Sequence, residues 1–255
     1  MKIQFTLGLL LAATAASAQS HPNLEYGRAA GESLRLDAWI PTGRGPFAAV
    51  ILVHGGGWTA GDKSGGPRKA LIAPMHEPLQ GAGLAWFSIN YRLAPKHPYP
   101  ACLDDVLTAI RWVKSRAAEY RIDPARLALS GESAGGHLVA LAAVRGDAAT
   151  RVAAIVPFYG RFDLTDDARP GEPLRKNYVA LFGRSHFDPT AQALMREASP
   201  LHFIQPGLPP FLLVHGDADT TVPYDQSVRL QEKLKAKRVP CDFITIKGGV
   251  HGMNS

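Results

Sequence analysis

Cysteine is nearly absent: the 255 residues hold two, Cys102 and Cys241. Two thiols so far apart in sequence make no disulfide framework, so the fold must rest on a packed core. Cys102 opens a helical segment and Cys241 a strand-like one, and two separate packed thiols are expected. Metal-ligand spacing is missing too. His76-Glu77 lacks the second histidine of a zinc helix, and no Cys/His cluster replaces it, so no metal is expected. After the first twenty residues no apolar run approaches the roughly eighteen residues of a spanning helix, so no membrane span is expected there. A concentrated basic stripe is also missing. Lys and Arg outnumber Asp and Glu by 28 to 22, but they are scattered, and the densest patch, "KLKAKR" at 233–238, lies on a helical segment. It reads as a solvated face, and nucleic acid is not an expected partner. A weak preference for anionic surfaces is all the net charge of +6 supports.

What is present begins with a leader. "MKIQFTLGLLLAATAASAQS" has one Lys, an apolar stretch and then Ala16-Ser17-Ala18. This is the layout of a signal peptide, residues 1–18, cleaved after Ala18. Residues 19–255 are then expected as one exported domain, secreted or periplasmic.

Short apolar runs recur along that domain. "LRLDAWI" (34–40) alternates as a half-exposed strand does. "FAAVILVHGG" (47–56), "LAWFSINYRL" (84–93), "RLALSG" (126–131), "VAAIVPFYG" (152–160), "PFLLVHGD" (210–217) and "CDFITIKGG" (241–249) suit strands buried on both faces of a parallel sheet. Between them lie helix-length segments. Residues 101–120 place Leu103, Val106, Ile110 and Val113 on one face, and residues 224–237 bring Val228, Leu230 and Leu234. The alternation predicts an α/β fold with a mostly parallel, doubly wound sheet. Residues 161–209, rich in Pro, Gly and charge, read as a cap-like insertion over the strand ends.

In such sheets, sites collect at the C-terminal ends of the strands. One of these ends carries "GESAG" at 131–135, a G-x-S-x-G pattern entered from a strand and left by a helix. The glycines allow a tight turn that lifts the Ser133 hydroxyl above the sheet, and the helix beginning near Ala134 offers N–H groups and a positive dipole end. A serine nucleophile needs a base and an orienting acid. His251 in "GGVHGM" and Asp219 in "HGDADTT" follow in the order Ser, acid, His. Asp217, two residues earlier, is the rival acid; Asp219 is preferred because it stands further out on the loop. "HGGGW" (54–58) lets backbone N–H groups approach a carbonyl oxygen, so Gly56, Gly57 and Ala134 are the expected oxyanion donors. The stretch lacks the Lys-Ser/Thr order of a phosphate loop. His54 is expected to brace this loop, His137 to be structural, and His215 to belong to a turn. Trp58 either stacks on a substrate ring or plugs the core.

Together "HGGGW", "NYRLAP", "GESAGG", "PPFLLVHGDADTTVP" and "HG" resemble the α/β-hydrolase esterases of the hormone-sensitive-lipase-like group, closest to the bacterial acetyl-xylan/feruloyl-esterase-like enzymes. The resemblance implies carboxylesterase activity without a cofactor, and supports Ser133, Asp219 and His251 as the triad. It also implies that Arg92 pairs with a carboxylate such as Asp105. Two departures stand out. The short stretch between Ala18 and Leu34 leaves no room for the N-terminal helical cap of many relatives. The sequence also lacks the C-terminal helix into which relatives continue, ending four residues after His251. The site should be open, covered by residues 161–209, where Tyr178, Leu181, Phe182, Phe187 and Met195 either meet substrate or pack the insertion down. The expected reaction is hydrolysis of short-acyl, acetyl-type esters through an acyl-enzyme, with hemicellulose as one acylated carbohydrate substrate. An amidase, peptidase or aryl formamidase on the same fold is the alternative, and a binding protein on a degenerate hydrolase fold is a third reading.

Overall fold

The structure, a computed structural model, describes residues 18–65, 72–166 and 168–253. The expected signal peptide, apart from Ala18, lies outside the described residues. Eight strands form one sheet in the order β1-β2-β4-β3-β5-β6-β7-β8. They are β1 (Gln19–Ala29), β2 (Glu32–Ile40), β3 (Phe47–Val53), β4 (Ala85–Ile89), β5 (Ile122–Glu132), β6 (Ala154–Phe158), β7 (Phe211–Gly216) and β8 (Cys241–Ile246). The β1–β2 and β2–β4 pairings are antiparallel; all the others are parallel.

The parallel strands are apolar on both faces for a reason the packing makes plain. Side chains alternate across a sheet. On β3, Ala49, Ile51 and Val53 join the main core, while Val50 and Leu52 join a second cluster on the opposite face with Trp86 and Ile72. The helices covering the sheet are α1 (Ile72–Gly81), α2 (Ala101–Ser115), α3 (Ala134–Arg145), α4 (Lys176–Phe182), α5 (Pro189–Glu197) and α6 (Asp225–Ala236). On α2 the expected stripe of Leu103, Val106, Ile110 and Val113 is buried.

Four details differ from the sequence expectation. β1 was not foreseen: only Tyr26 is buried along it, and irregularities between His21 and Leu24 and between Glu25 and Gly27 break its period of two. It joins β2 through Ala30 (φ 49°) and Gly31 (φ 78°), the two-positive-φ turn that suits a hairpin. α2 stops at Ser115, not at residue 120. Val228 is only half-buried, because the inward face of α6 runs through Gln226, Ser227, Leu230 and Leu234. Residues 161–209 are not simply irregular. They contain α4, closed by Gly183 at φ 65°, and α5, whose N-cap Asp188 accepts the Ala191 N–H at 2.7 Å.

Candidate active site

The strands β3 to β8 run in one direction, so their C-terminal ends share a rim. Ser133 sits there, alone between the end of β5 and the start of α3, at φ 51° and ψ −115°. A non-glycine residue at positive φ is strained, and strain of this kind concentrates where geometry is functional. The flanking glycines make the turn possible. A Cβ on Gly135 would lie 2.0 Å from the Val53 carbonyl oxygen and 2.6 Å from that of His54. One on Gly131 would lie 2.6 Å from the Gly135 carbonyl. The first turn of α3 is thus pressed against the end of β3.

The structure brings Ser133, His251 and Asp219 together. Ser133 Oγ lies 3.0 Å from His251 Nε2, and His251 Nδ1 lies 2.7 Å from Asp219 Oδ2. Asp219 is buried, and its other oxygen, Oδ1, accepts the N–H groups of Thr221 and Val222 at 2.8 and 2.9 Å. Burial pushes this carboxyl up, but the hydrogen bonds from His215, His251 and the Val222 N–H overcome that and hold it well below the usual carboxylate range. An ionised Asp219 accepts from Nδ1–H, which leaves Nε2 of His251 free to receive the serine proton. His215 is buried, accepts from or donates to Ser227 Oγ at 2.7 Å through Nδ1, and places Nε2 3.0 Å from the Val222 oxygen and 3.3 Å from Asp219 Oδ2. It lies within β7, not in a turn as expected, and from there braces the acid loop.

Asp217, the rival acid, is exposed and has another role. Its Oδ1 accepts the Gly248 N–H at 2.6 Å. With Asp217 N–H to the Ile246 oxygen and Ala218 N–H to the Gly249 oxygen, at 3.2 and 3.1 Å, this fastens the Asp219 loop to the loop that carries His251.

The glycine loop after β3 faces the same space. Gly56 and Gly57 have φ of 101° and 60°. A Cβ on Gly56 would stand 2.1 Å from the Ala60 oxygen. Gly56, Gly57, Ser133, Ala134 and His251 line one cleft of about 1160 Å³. His54 braces the loop as expected: its Nδ1 lies 2.8 Å from the Gly55 oxygen and its ring stacks on Tyr91 at 4.3 Å. Burial lowers its pKa to about 4. Trp58 resolves toward the core. It borders the cleft but is only 3% exposed, and its indole N–H donates to His137 Nδ1 at 3.1 Å. His137 Nε2 in turn meets the Ala198 oxygen at 2.6 Å. Of the two readings the sequence left open for Trp58, its packing is that of a core plug at the edge of the cleft.

Within the insertion, Tyr178, Leu181, Phe182, Phe187 and Met195 are all buried. They pack the segment down, and of these Tyr178 also borders the cleft. Arg92 pairs with buried Asp105 through Nε and Nη2, with a closest contact of 2.7 Å, as the resemblance implied. Both cysteines are free. Glu132 and Tyr159 line the cleft and were not singled out from the sequence. Glu132, immediately before the serine, is buried and accepts the Tyr159 hydroxyl at 2.8 Å. Tyr159 stands with its ring against His251. The sequence held no signal for either, because their meeting depends on β5 and β6 being neighbours in the sheet. Among the described residues no cluster of His, Cys, Asp or Glu could hold a metal ion, and no helix is long and apolar enough to cross a membrane.

Known proteins resemble this chain in sequence and in fold. The family model BD-FAE matches residues 36–234. A probable carboxylic ester hydrolase of Mycobacterium tuberculosis, LipM, is 34% identical over 83% of this chain and 50% of its own length. The esterase LipC of the same organism is 32% identical over 86% of this chain and 57% of its own. The chain therefore spans about half the length of these curated relatives. Among solved structures, a truncated carbohydrate esterase from gut microbiota superposes with a TM-score of 0.80 at 29% identity, covering 94% of this chain and 92% of that one. Apo esterase 2 of Thermogutta terrifontis gives 0.74 at 27% identity, covering 94% and 85%. The sheet and helices are those of an esterase α/β-hydrolase fold.

Proposed function

The chain belongs to the BD-FAE family, and on that premise we propose that it is a serine carboxylesterase acting on short-acyl esters through an acyl-enzyme. The observation that carries the reading is the unbroken relay from Ser133 Oγ through His251 to Asp219, at 3.0 and 2.7 Å. In the proposed mechanism Ser133 Oγ attacks the ester carbonyl while His251 Nε2 takes its proton. Asp219 keeps the ring oriented and stabilises the imidazolium. The oxyanion meets the N–H groups of Gly56, Gly57 and Ala134, and losing one such donor typically costs about 3–4 kcal/mol at the transition state. His251 then returns the proton to the leaving alcohol, and a water, activated by the same imidazole, releases the acid.

The acyl side is proposed to be small. Trp58, Tyr159 and Tyr178, all buried, bound the cleft around the serine. The alcohol side is proposed to be bulky and, by analogy with the truncated carbohydrate esterase, a sugar. Residues 1–18 support export to the periplasm or medium, which suits an acylated polysaccharide such as hemicellulose.

The test is a panel of p-nitrophenyl esters from acetyl to dodecanoyl beside acetylated and feruloylated xylan, an aryl formamide and an aminoacyl anilide. Hydrolysis is expected to peak at the shortest acyl chains and to exceed amide cleavage. A maximum at octanoyl or longer defeats the short-acyl reading, and faster cleavage of the anilide or formamide replaces it. A fluorophosphonate should label the wild type and not Ser133→Ala. Solved structures of Thermogutta terrifontis esterase 2 phosphonylated by sarin and by cyclosarin support that expectation. A folded wild type that is never labelled makes the chain a binding protein.

A further inference from the structure

Ser133 and Tyr159 leave the sheet side by side. Glu132 and Phe158 are register partners at the ends of β5 and β6, and the next residue on each strand is Ser133 or Tyr159. The Ser133 N–H donates to the Phe158 oxygen at 3.0 Å. Both residues turn at positive φ, 51° for Ser133 and 37° for Tyr159. For a bulky aromatic residue that conformation is an outlier, and it persists only when its surroundings hold it.

The holding contacts of Tyr159 are specific. Its N–H donates to the Val214 oxygen at 2.8 Å, and its hydroxyl donates to Glu132 Oε2 at 2.8 Å. Glu132 Oε1 also accepts the Gly55 N–H of the oxyanion loop, at 3.4 Å. The ring then stands tilted at 64° to the His251 imidazole, centroids 4.8 Å apart. His251 is carried by a loop after the edge strand β8, and its side chain is 25% exposed. Asp219 fixes it from one side; Tyr159 is what it rests on at another.

Resting on the esterase reading above, we propose that Tyr159 is a positioning residue: tied through its hydroxyl to Glu132, it holds the His251 ring at the distance from which it serves Ser133. Glu132 couples three parts of the site. It precedes the nucleophile in the chain, reaches the oxyanion loop, and anchors the ring that backs the base. Loosening that anchor costs rate in the chemical step and leaves substrate binding nearly intact, because the hydroxyl acts through the base and not on the ester.

The experiment compares full-length wild type, Tyr159→Phe, Glu132→Gln, Glu132→Ala and the Tyr159→Phe/Glu132→Ala double variant on p-nitrophenyl acetate. Tyr159→Phe keeps the ring and the backbone and loses only the O–H. It is expected to lower kcat about tenfold, with KM within about twofold. Glu132→Gln should stay within about threefold of wild type, since its amide can accept the Gly55 N–H and donate to the Tyr159 oxygen. Glu132→Ala should fall at least as far as Tyr159→Phe, since it also releases the Gly55 N–H, and the double variant no further than Glu132→Ala, because the bond lost in Tyr159→Phe is already broken there. Should Glu132→Ala melt below the assay temperature, Tyr159→Phe against Glu132→Gln carries the comparison. A Tyr159→Phe kcat within twofold of wild type, a loss confined to KM, or single losses that multiply in the double variant would each overturn the proposal. A wild type that cleaves no ester and escapes fluorophosphonate labelling is a different failure: the esterase reading itself falls, and the inference with it.

Discussion

The acid of the relay can be identified by a single amide. In Asp219→Asn the side chain keeps its size and loses its charge. Its oxygen is claimed by the place now held by Oδ1, where the Thr221 and Val222 N–H groups point at 2.8 and 2.9 Å. The NH₂ is therefore forced into the Oδ2 position, between His251 Nδ1 at 2.7 Å and His215 Nε2 at 3.3 Å. An NH₂ there must donate, so Nδ1 of His251 has to become the acceptor. The ring proton then sits on Nε2, facing Ser133 Oγ at 3.0 Å, and the base is gone. A wrong tautomer in such a relay lowers kcat on the order of 10⁴-fold, or ~5.5 kcal/mol of barrier. Asp217→Ala is the matched control. It removes one hydrogen bond, to Gly248, and leaves two backbone bonds fastening the same loops, so about 1 kcal/mol of stability and at most about tenfold in kcat are at stake. Steady-state rates on p-nitrophenyl acetate, with near-UV circular dichroism to verify packing, separate the two. Asp219→Asn retaining a tenth of wild-type kcat, or Asp217→Ala losing a thousandfold, would refute the assignment.

Legibility in the sequence followed the strength of the local signal. The parallel strands announce themselves because both faces of β3 and β4 are buried, which leaves near-continuous apolar runs such as "FAAVILV" and "AWFSI". β1 is silent because an edge strand with two register breaks and one buried residue has no period to read. The two insertion helices were hidden by composition, although Asp188-Pro189 is a helix start and Gly183 a helix stop. Within the site, Ser133, Asp219 and His251 were readable because chain order and glycine spacing constrain them together. Glu132 and Tyr159 were not. Their roles depend on β5 and β6 being neighbours, a fact of sheet order that no window of sequence contains. Trp58 carried two readings for the same reason: only the fold shows that His137, 79 residues away, takes its N–H.

The remaining predictions concern stability. His54 and His137 are buried with pKa values lowered from 6.5 to about 4, chiefly by burial, so the unfolded chain binds their protons first. Their contribution is fully present above pH 6.5 and is lost as pH falls toward 4, on the order of 3 kcal/mol each; urea melts unchanged between pH 7 and pH 5 would contradict it. Two glycines test the packing of the elbow against an internal standard. Gly81 ends α1, and a methyl added there would meet nothing within 4 Å, so Gly81→Ala should leave the stability unchanged or raise it by about 0.5–1 kcal/mol, with the melting temperature unchanged or higher. In Gly135→Ala the same methyl meets two carbonyl oxygens of β3 and its loop at 2.0 and 2.6 Å. Neither oxygen can swing aside as a flexible side chain would, so α3 must lift from the sheet. The expected loss is about 3 kcal/mol or more, which in a domain of this size lowers the melting temperature by roughly 6–12 °C. Because Ser133 begins that helix, fluorophosphonate labelling should slow in the protein that remains folded. Equal melting temperatures for the two variants would mean that the close approach of α3 to β3 is not what shapes the serine turn.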